Sequence, residues 1–270
     1  MSSINKQLDP AVNDAAAHQA AKDKPSGTVH NIARHFTQFL QTELANTDEL
    51  RSEVYKLRHN VYCEELAFEE IKAAGEEKDE FDPRSLFILI KHKSSNNYSS
   101  CVRIVKSENT KELLPIEEFC MDAITDEEFH PRNFARHEIA EISRLAVKAD
   151  FRRRKTDKFK GSAIGAISET TYSELELRCF PFIAIGLYMA AASLAIESGI
   201  KHVYVMMEPR LARSMKFVGI KFHQLGKPVE YHGTRAPYYI NAQIFMDNLS
   251  PNFKSLYRSI EQDLIAQINN

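Results

Sequence analysis

The apolar run at residues 182–196 is the feature that most limits the folds open to this chain. It stops at Glu197-Ser198-Gly199, so it is shorter than the roughly 20 apolar residues that a membrane-spanning helix needs. We therefore predict a helix buried in a protein core, and Gly199 is a typical residue directly after a helix. The apolar segment at residues 202–207 is then predicted to be a buried strand.

Residues 32–44 fit two structures equally well. Apolar residues recur at helical spacing from Ile32 to Leu40, which predicts a helix. A first strand over residues 36–44 would also suit a sheet that begins there. The sequence leaves both possibilities open.

Periodicity and punctuation define the remaining elements. Asn46 and Glu49 can form a weak capping box ahead of an apolar helical stripe. After this helix, residues 85–92 and 101–106 are predicted to form an antiparallel hairpin, and residues 139–147 a further strand. A helix at 209–218, short β segments at 221–231 and 238–245, and a terminal helix at 251–268 are predicted to follow. This order predicts an α+β fold, with a twisted mixed sheet flanked by helices. We expect one domain over residues 29–270.

Composition narrows the possible partners and the compartment. The chain has 35 Lys and Arg against 37 Asp and Glu, so its overall charge gives no reason to expect nucleic acid or a membrane surface. Its four cysteines lie far apart without a CxxC pair, which disfavours a zinc site and a disulfide framework. Residues 1–28 lack the apolar stretch of a secretory signal and are predicted to be a disordered arm. A cytoplasmic protein without a metal or bound cofactor is expected.

The strand at residues 139–147 carries charge in an apolar setting. Alternation places Glu141 and Ser143 on one face and Arg144 on the other. Glu141 and Arg144 need partners if they are buried, because an unpaired buried charge is costly. They are therefore candidate site residues. The alternative is an edge strand whose charges face water.

Two further segments display polar groups. Arg58, in LRHNVYCEE, precedes an acidic cluster made of Glu77, Asp79 and Asp82. A cation and carboxylates so placed could pair and tie a loop over a cleft, although a solvated acidic loop is the simpler interpretation. The glycine- and proline-rich turn at residues 226–238 displays polar aromatic residues that either line a pocket mouth or cap the sheet.

These motifs together resemble a known family. Residues 54–147 resemble the signature of the acyl-homoserine-lactone synthases. The matching features, in the same order, are Arg58 with Tyr62, the spacing of Glu77, Asp79 and Asp82, Arg103 in CVRIV, and EISRLAV. The later block at residues 207–239 resembles the acyltransferases associated with PEP-CTERM/exosortase systems and the N-acyl amino acid synthases. The resemblance implies a GNAT-like fold, that of the acyl-CoA N-acyltransferases.

The resemblance also implies roles for single residues. Glu141 matches the proposed general base, and Ser143 lies at the position near the acyl carbonyl. Arg144 and Arg58 would be held by the acidic cluster and shape the cleft for the amine. The substrate-binding set that it implies is Arg58, Tyr62, Phe68, Glu77, Asp79, Asp82 and Arg103. Phe68 stands where the synthases have tryptophan, and the chain contains no tryptophan, which argues against a homoserine-lactone product.

The chemistry of amide formation adds two expectations. An ammonium must lose a proton before it attacks a thioester, and no covalent enzyme intermediate is needed, so the cysteines are expected to be packing residues. After Val147 the chain has no compact glycine-rich turn for a pyrophosphate but has six basic residues, namely Arg152, Arg153, Arg154, Lys155, Lys158 and Lys160. They suit an acidic acyl carrier protein as the donor. The alternatives are a solvated basic loop, a CoA-dependent enzyme, or a ligand-binding sensor with the same fold.

Overall fold

The computed structural model of the chain describes residues 29–152 and 182–269. The strands in this part are β1 (Leu40–Leu44), β2 (Ser85–His92), β3 (Asn97–Lys106), β4 (Ile139–Val147), β5 (His202–Met207), β6 (His223–Gln224), β7 (Val229–Glu230) and β8 (Thr234–Asn241). The α-helices are α1 (Val29–Phe39), α2 (Asp48–Arg58), α3 (Pro115–Cys120), α4 (Ile183–Glu197), α5 (Pro209–Phe217), α6 (Ala242–Asn248) and α7 (Pro251–Ile268). A π-helix, His59–Glu65, continues α2.

The strands form one mixed sheet. Its order is β1-β2-β3-β4-β5-β8-β6, with β7 paired to β8. The neighbours are antiparallel except for β4 and β5, which are parallel. The parallel pairing covers only Ile139–Glu141 against His202–Tyr204. Because β4 continues to Val147 and β5 to Met207, the two strands part at the middle of the sheet.

The predicted core helix is confirmed as α4. Its side chains are buried almost all round, against the sheet on one side and α7 on the other. Gly186 lies so close to Phe36 of α1 that a Cβ atom would come within 2.6 Å of the ring. Helix α4 therefore joins the sheet to the terminal helices. No helix among residues 29–152 and 182–269 combines the length and apolar character needed to cross a bilayer.

The structure settles the ambiguous first segment and shifts two boundaries. Residues 32–44 hold both predicted forms, because α1 ends at Phe39 and β1 begins at Leu40. Thr47 caps α2 instead of Asn46, and its hydroxyl accepts the Leu50 N–H at 3.3 Å. Strand β3 begins at Asn97, four residues before the predicted start.

The segment predicted as β structure at residues 238–245 is also corrected. Strand β8 ends at Asn241, and α6 begins directly after it. The Asn241 side chain accepts the Ile244 N–H at 2.8 Å and so caps that helix. The hairpin, β4, β5 and the terminal helix are confirmed, and with them the α+β sheet flanked by helices. The predicted arm at residues 1–28 lies outside the described residues.

Candidate active site

A bulge in β4 brings the three predicted catalytic residues to one face. Cys101 of β3 pairs with Ala146 and Arg103 pairs with Ser143, so β4 has one residue more than β3 in this interval. Arg144 takes up the extra length in the left-handed region, at φ 50°. A bulge interrupts side-chain alternation, and Arg144 lines the same cavity as Glu141 and Ser143. The prediction that Arg144 faces the opposite side was wrong for this reason.

Arg58 lies at the centre of a buried ion network. It is 0% exposed, its Nε donates to Glu77, and its Nη1 donates to Asp82 at 2.7 Å. Burial opposes the ionisation of Glu77, but the hydrogen bond and charge of Arg58 hold its pKa below the usual value. The acidic cluster is therefore an internal structure, and the alternative of a solvated loop is excluded for Glu77 and Asp82, which are both buried.

Arg103 extends the network to β4. Its Nη1 donates to Asp79 and, at 2.8 Å, to Asp82, while its Nε donates to the Ser143 hydroxyl at 3.1 Å. Burial opposes the ionisation of Asp79, and the charge and hydrogen bond of Arg103 overcome it and lower the pKa. Ser143 is thereby oriented as an acceptor, and its own proton stays available for a second partner.

Arg144 closes the network on the cavity side. Its Nε donates to Glu77 at 3.3 Å and its Nη2 donates to Glu69 at 3.1 Å. Its guanidinium lies over the Tyr62 ring, 5.6 Å from the centroid. The Tyr62 hydroxyl donates to the carbonyl of Leu145 at 2.8 Å, and this hydrogen bond stabilises the bulge. Sequence reasoning missed Glu69 as a member of the network, because Glu69 lies outside the acidic cluster at residues 77–82.

Glu141 is the buried carboxyl group that the network leaves without an arginine hydrogen bond. Its Oε2 accepts the backbone N–H of Ile116 at 2.6 Å, and Oε1 accepts no hydrogen bond from the residues that the structure describes. Burial raises the pKa of Glu141 to about 8, against the lowering effect of the Ile116 N–H and the charge of Arg103. A carboxyl group with such a pKa can exchange a proton near neutral pH.

A second ion pair, which sequence reasoning missed, holds the segment that carries Ile116. Glu117 receives two hydrogen bonds from Arg136, each of 2.7 Å, and accepts the Leu114 N–H at 2.7 Å. Arg136 also donates to Ser107 at 2.9 Å. The only local signal was the three-residue spacing from Leu114 to Glu117, which is that of a helix start with Pro115 at its first position.

A cavity of about 70 Å³ lies among these groups. Its polar lining comes from both the network and β4, and its rim is aromatic. The lining residues are Tyr62, Phe68, Glu69, Asp79, Phe81, Arg103, Pro115, Phe119, Glu141, Ser143, Arg144, Met206, Tyr231, His232 and Arg235. The volume is far below the roughly 300–1,000 Å³ of a typical small-molecule pocket, so it accommodates a reacting group and not a whole acyl chain.

Three segments meet at the rim. Phe68 lies against His232, with centroids 6.1 Å apart, and Phe119 stacks on Tyr231 at 6.2 Å. The turn at residues 226–238 therefore lines the pocket mouth through Tyr231, His232 and Arg235, whereas Tyr238 packs in the core on the other face. Each of the two alternatives for this turn, lining a pocket mouth or capping the sheet, therefore describes one part of it.

The remaining predicted residues lie elsewhere or outside the described range. Arg152 is buried and pairs with Glu65, so it is not available on the surface for a carrier protein. Arg153, Arg154, Lys155, Lys158 and Lys160 lie outside the described residues. Cys63, Cys101 and Cys120 are buried free thiols, and burial raises the pKa of Cys101 to about 12 and that of Cys120 to about 11. Such thiols are protonated and unreactive near neutral pH.

Comparison with protein families gives one match. Residues 57–160 match the family model described as acetyltransferase (GNAT) domain. This part of the chain is similar to GNAT acetyltransferase domains. The match begins in α2 and includes the whole of β2, β3 and β4 with the ion network. The sequence matches no curated protein at a significant level.

Solved structures share this GNAT fold. The acyl-homoserine-lactone (AHL) synthase LasI superimposes with a TM-score of 0.50 at 14% identity, covering 78% of this chain and 96% of LasI. BjaI, a CoA-dependent acyl-homoserine lactone synthase, gives 0.54 at 15%, covering 80% and 89%. FeeM, an N-acyl amino acid synthase from uncultured soil microbes, gives 0.50 at 13%, covering 78% and 94%. The predicted GNAT-like fold is confirmed, and the matched family supports an N-acyltransferase enzyme.

Proposed function

We propose that this chain is an N-acyltransferase that moves a medium- or long-chain fatty acyl group from the thioester of an acyl carrier protein to the amine of an amino acid or related small molecule. The observation that carries the proposal is Glu141. It is a buried carboxyl group with a pKa of about 8 that faces a small cavity. It lies at the residue where β4 and β5 part.

Glu141 is suited to receive the proton of the attacking amine. A carboxylate with a pKa of about 8 accepts a proton from an ammonium group at a much smaller cost in free energy than a carboxylate of ordinary pKa does. An ordinary surface carboxylate, with a pKa near 4, would be a much weaker base. The unused Oε1 of Glu141 is the atom that can accept this proton.

The parted strands offer a place for the thioester. Beyond Glu141 and Tyr204, the facing edges of β4 and β5 no longer pair with each other, and Met206 and Ser143 from these edges line the cavity. A backbone N–H at such an edge can donate to the oxyanion that develops on the thioester carbonyl. The Ser143 hydroxyl, held by Arg103, is a second donor beside it.

The reaction then needs no covalent enzyme intermediate. The amine nitrogen attacks the carbonyl carbon, a C–N bond forms, and the C–S bond breaks. The amine proton passes to Glu141, and the thiolate that leaves takes a proton from the site or from water. Because the described cysteines are buried and protonated, an acyl-cysteine route has no support among them.

The choice of carrier protein over CoA rests on the sequence. Residues 151–162, FRRRKTDKFKGS, hold a dense basic group and no compact glycine-rich turn, and carrier proteins are acidic. BjaI, whose fold this chain shares, is CoA-dependent, so CoA is the donor to compare. Reversal of Arg153, Arg154 and Lys155 to glutamate should weaken turnover with the carrier and spare a small thioester.

The test is acyl transfer by the purified protein. It would be incubated with amino acids and one acyl chain loaded on either a carrier protein or CoA, with free thiol and N-acyl product as readouts. We expect product with the carrier, and a loss of about 10²-fold or more in Glu141→Gln. Glu138→Gln is the matched control, because Glu138 is a partly exposed carboxylate that pairs with Lys201 directly before β4. Absence of thiol release with both donors would leave a binding function instead.

A further inference from the structure

Among the residues that the structure describes, one arginine of the cavity has no carboxylate partner. Of the arginines that line it, Arg103 and Arg144 both bind acidic side chains. Arg235 makes only a long hydrogen bond from Nε to the carbonyl of His232, at 3.4 Å. Its two terminal nitrogens have no partner within residues 29–152 and 182–269. A half-buried guanidinium in this state is ready to bind an anion.

The fold fixes where this guanidinium lies. Arg235 is the second residue of β8 and pairs with Val229 across the hairpin. The hairpin turn is held by left-handed residues, His232 at φ 49° and Gly233 at φ 92°. Its aromatic residues pack on Phe68 and on Phe119. Arg235 is thus placed on the cavity rim by a defined turn, and the ion network and β4 supply the other charged side chains that line the cavity.

The ion network that lines the cavity carries a net negative charge. The network holds four carboxylates, namely Glu69, Glu77, Asp79 and Asp82, against the three guanidiniums of Arg58, Arg103 and Arg144. One negative charge is therefore in excess, and Glu69 and Asp79 line the cavity. Glu141 also faces it. An ammonium is favoured beside the carboxylates of the lining, and a carboxylate is favoured beside Arg235.

We propose that Arg235 binds the carboxylate of the acceptor, so that the acceptor is an α-amino acid with a free carboxyl group. The inference rests on the proposed acyl transfer and narrows its acceptor. In this arrangement the zwitterion lies across the cavity, with its amine towards Glu141 and its carboxylate on the planar guanidinium of Arg235. Arginine suits this role because its paired N–H groups match both oxygens of a carboxylate.

The experiment compares each amino acid with its own carboxamide, which keeps the amine and side chain and loses the negative charge. Binding to the full chain would be measured by calorimetry for the proteinogenic amino acids and their carboxamides, for wild type and Arg235→Gln. A hydrogen bond to a charged group predicts that wild type binds the best amino acid about 10–100-fold more tightly than its carboxamide. Arg235→Gln should lose most of this preference, and Arg235→Lys should restore part of it.

Arg258→Gln is the matched control, because it removes an exposed arginine on α7 away from the cavity. It should keep the wild-type preference. Equal binding of acid and carboxamide by wild type, or the same preference in Arg235→Gln, would overturn the inference. Acyl transfer to the same compounds is measured in parallel. A carboxylate preference in binding without any acyl product would contradict the proposed function and leave the role of Arg235 intact.

Discussion

Glu141 accepts the backbone N–H of Ile116 through Oε2, at 2.6 Å. This hydrogen bond joins the central strand of the sheet to the short helix α3. It stabilises the ionised carboxylate, while burial favours the protonated form and dominates, so the pKa rises to about 8. The same carboxyl group therefore carries a pH-dependent cost to the folded state, beside the proton-accepting role proposed for it.

The first prediction is that Glu141→Gln stabilises the protein at alkaline pH. In the unfolded chain this carboxyl group titrates near 4.5, and in the folded chain near 8. Between these values the folded state holds a proton that the unfolded state has lost, so folding becomes less favourable as pH rises, and the penalty is complete above about 8. Glutamine keeps an acceptor for Ile116 and has no such penalty.

Thermal unfolding at pH 5, 6.5, 8 and 9 measures this effect. The midpoint of Glu141→Gln minus that of wild type should rise from pH 5 to about 8 and then stay level. Glu138→Gln, whose exposed partner is Lys201, should show no such rise. A difference that is constant over the whole range would mean that Glu141 titrates normally.

A second prediction concerns Glu117 and Arg136. The charge of Glu117 raises the pKa of Glu141, while Arg103 and Arg144 lower it; the uncharged phenol of Tyr231 and thiol of Cys120 also face this region. Glu117→Gln removes a negative charge, so the acidic limb of kcat/KM should move to lower pH. Arg136→Gln leaves Glu117 unpaired, so the limb should move to higher pH, in each case by about 0.5 unit or more.

The pH profile of kcat/KM reports groups on the free enzyme, which makes it the measurement of choice. Glu118→Gln is the control, because Glu118 is an exposed neighbour of Glu117 on α3 and its side chain makes no hydrogen bond or ion pair with the residues that the structure describes. If the two variants shifted the limb in the same direction, or only reduced stability, the pair would serve the fold of residues 107–120 and not the ionisation of Glu141.

The sequence was sufficient for the fold and for most of the charged site. Helix α4 and strand β5 are marked by apolar runs with clear ends, and Arg58 with its carboxylates is marked by order along the chain. The side of Arg144 was not predictable, because alternation holds only in a regular strand and EISRLAV contains no glycine to suggest a bulge. Arg144 adopts φ 50° without one.

The remaining errors involve distant contacts. Glu117 and Arg136 are 19 residues apart, and their bidentate pair depends on how two loops meet. Arg235 reaches the cavity because its hairpin packs against Phe68 and Phe119. Local periodicity does not predict such long-range contacts, because they depend on tertiary packing.

A third prediction uses the left-handed backbone of Arg144. Arg144→Gly and Arg144→Ala both remove the guanidinium, but only glycine adopts φ 50° without a steric penalty. The glycine variant should have the higher free energy of unfolding, by about 1 kcal/mol, and both should lose turnover alike. Urea unfolding with a kinetic assay tests this. An alanine variant as stable as the glycine variant would mean that the bulge relaxes once the guanidinium is gone.

The fourth prediction concerns Arg58, for which the structure changes the expected outcome. A surface ion pair contributes about 0–1 kcal/mol, and on that basis loss of Arg58 would leave melting almost unchanged. Arg58 is instead 0% exposed and bound to Glu77 and Asp82. Arg58→Ala leaves these carboxylates buried with fewer partners, which should lower the free energy of unfolding by about 3–5 kcal/mol.

The lysine variant separates charge from shape at this position. Arg58→Lys keeps one positive charge, but a single ammonium cannot donate to Glu77 and Asp82 with the geometry of a planar guanidinium. We therefore expect Arg58→Lys to recover part of the stability and little of the turnover, because Asp79 and Arg144 at the cavity depend on the same network.

Arg51→Ala is the control, because Arg51 lies seven residues before Arg58 on α2 and is partly exposed. It should change the free energy of unfolding and the turnover by little. Chemical unfolding and steady-state kinetics of the three variants provide the comparison. Wild-type turnover in a stable Arg58→Lys protein would show that the network maintains the fold and does not position the groups of the cavity.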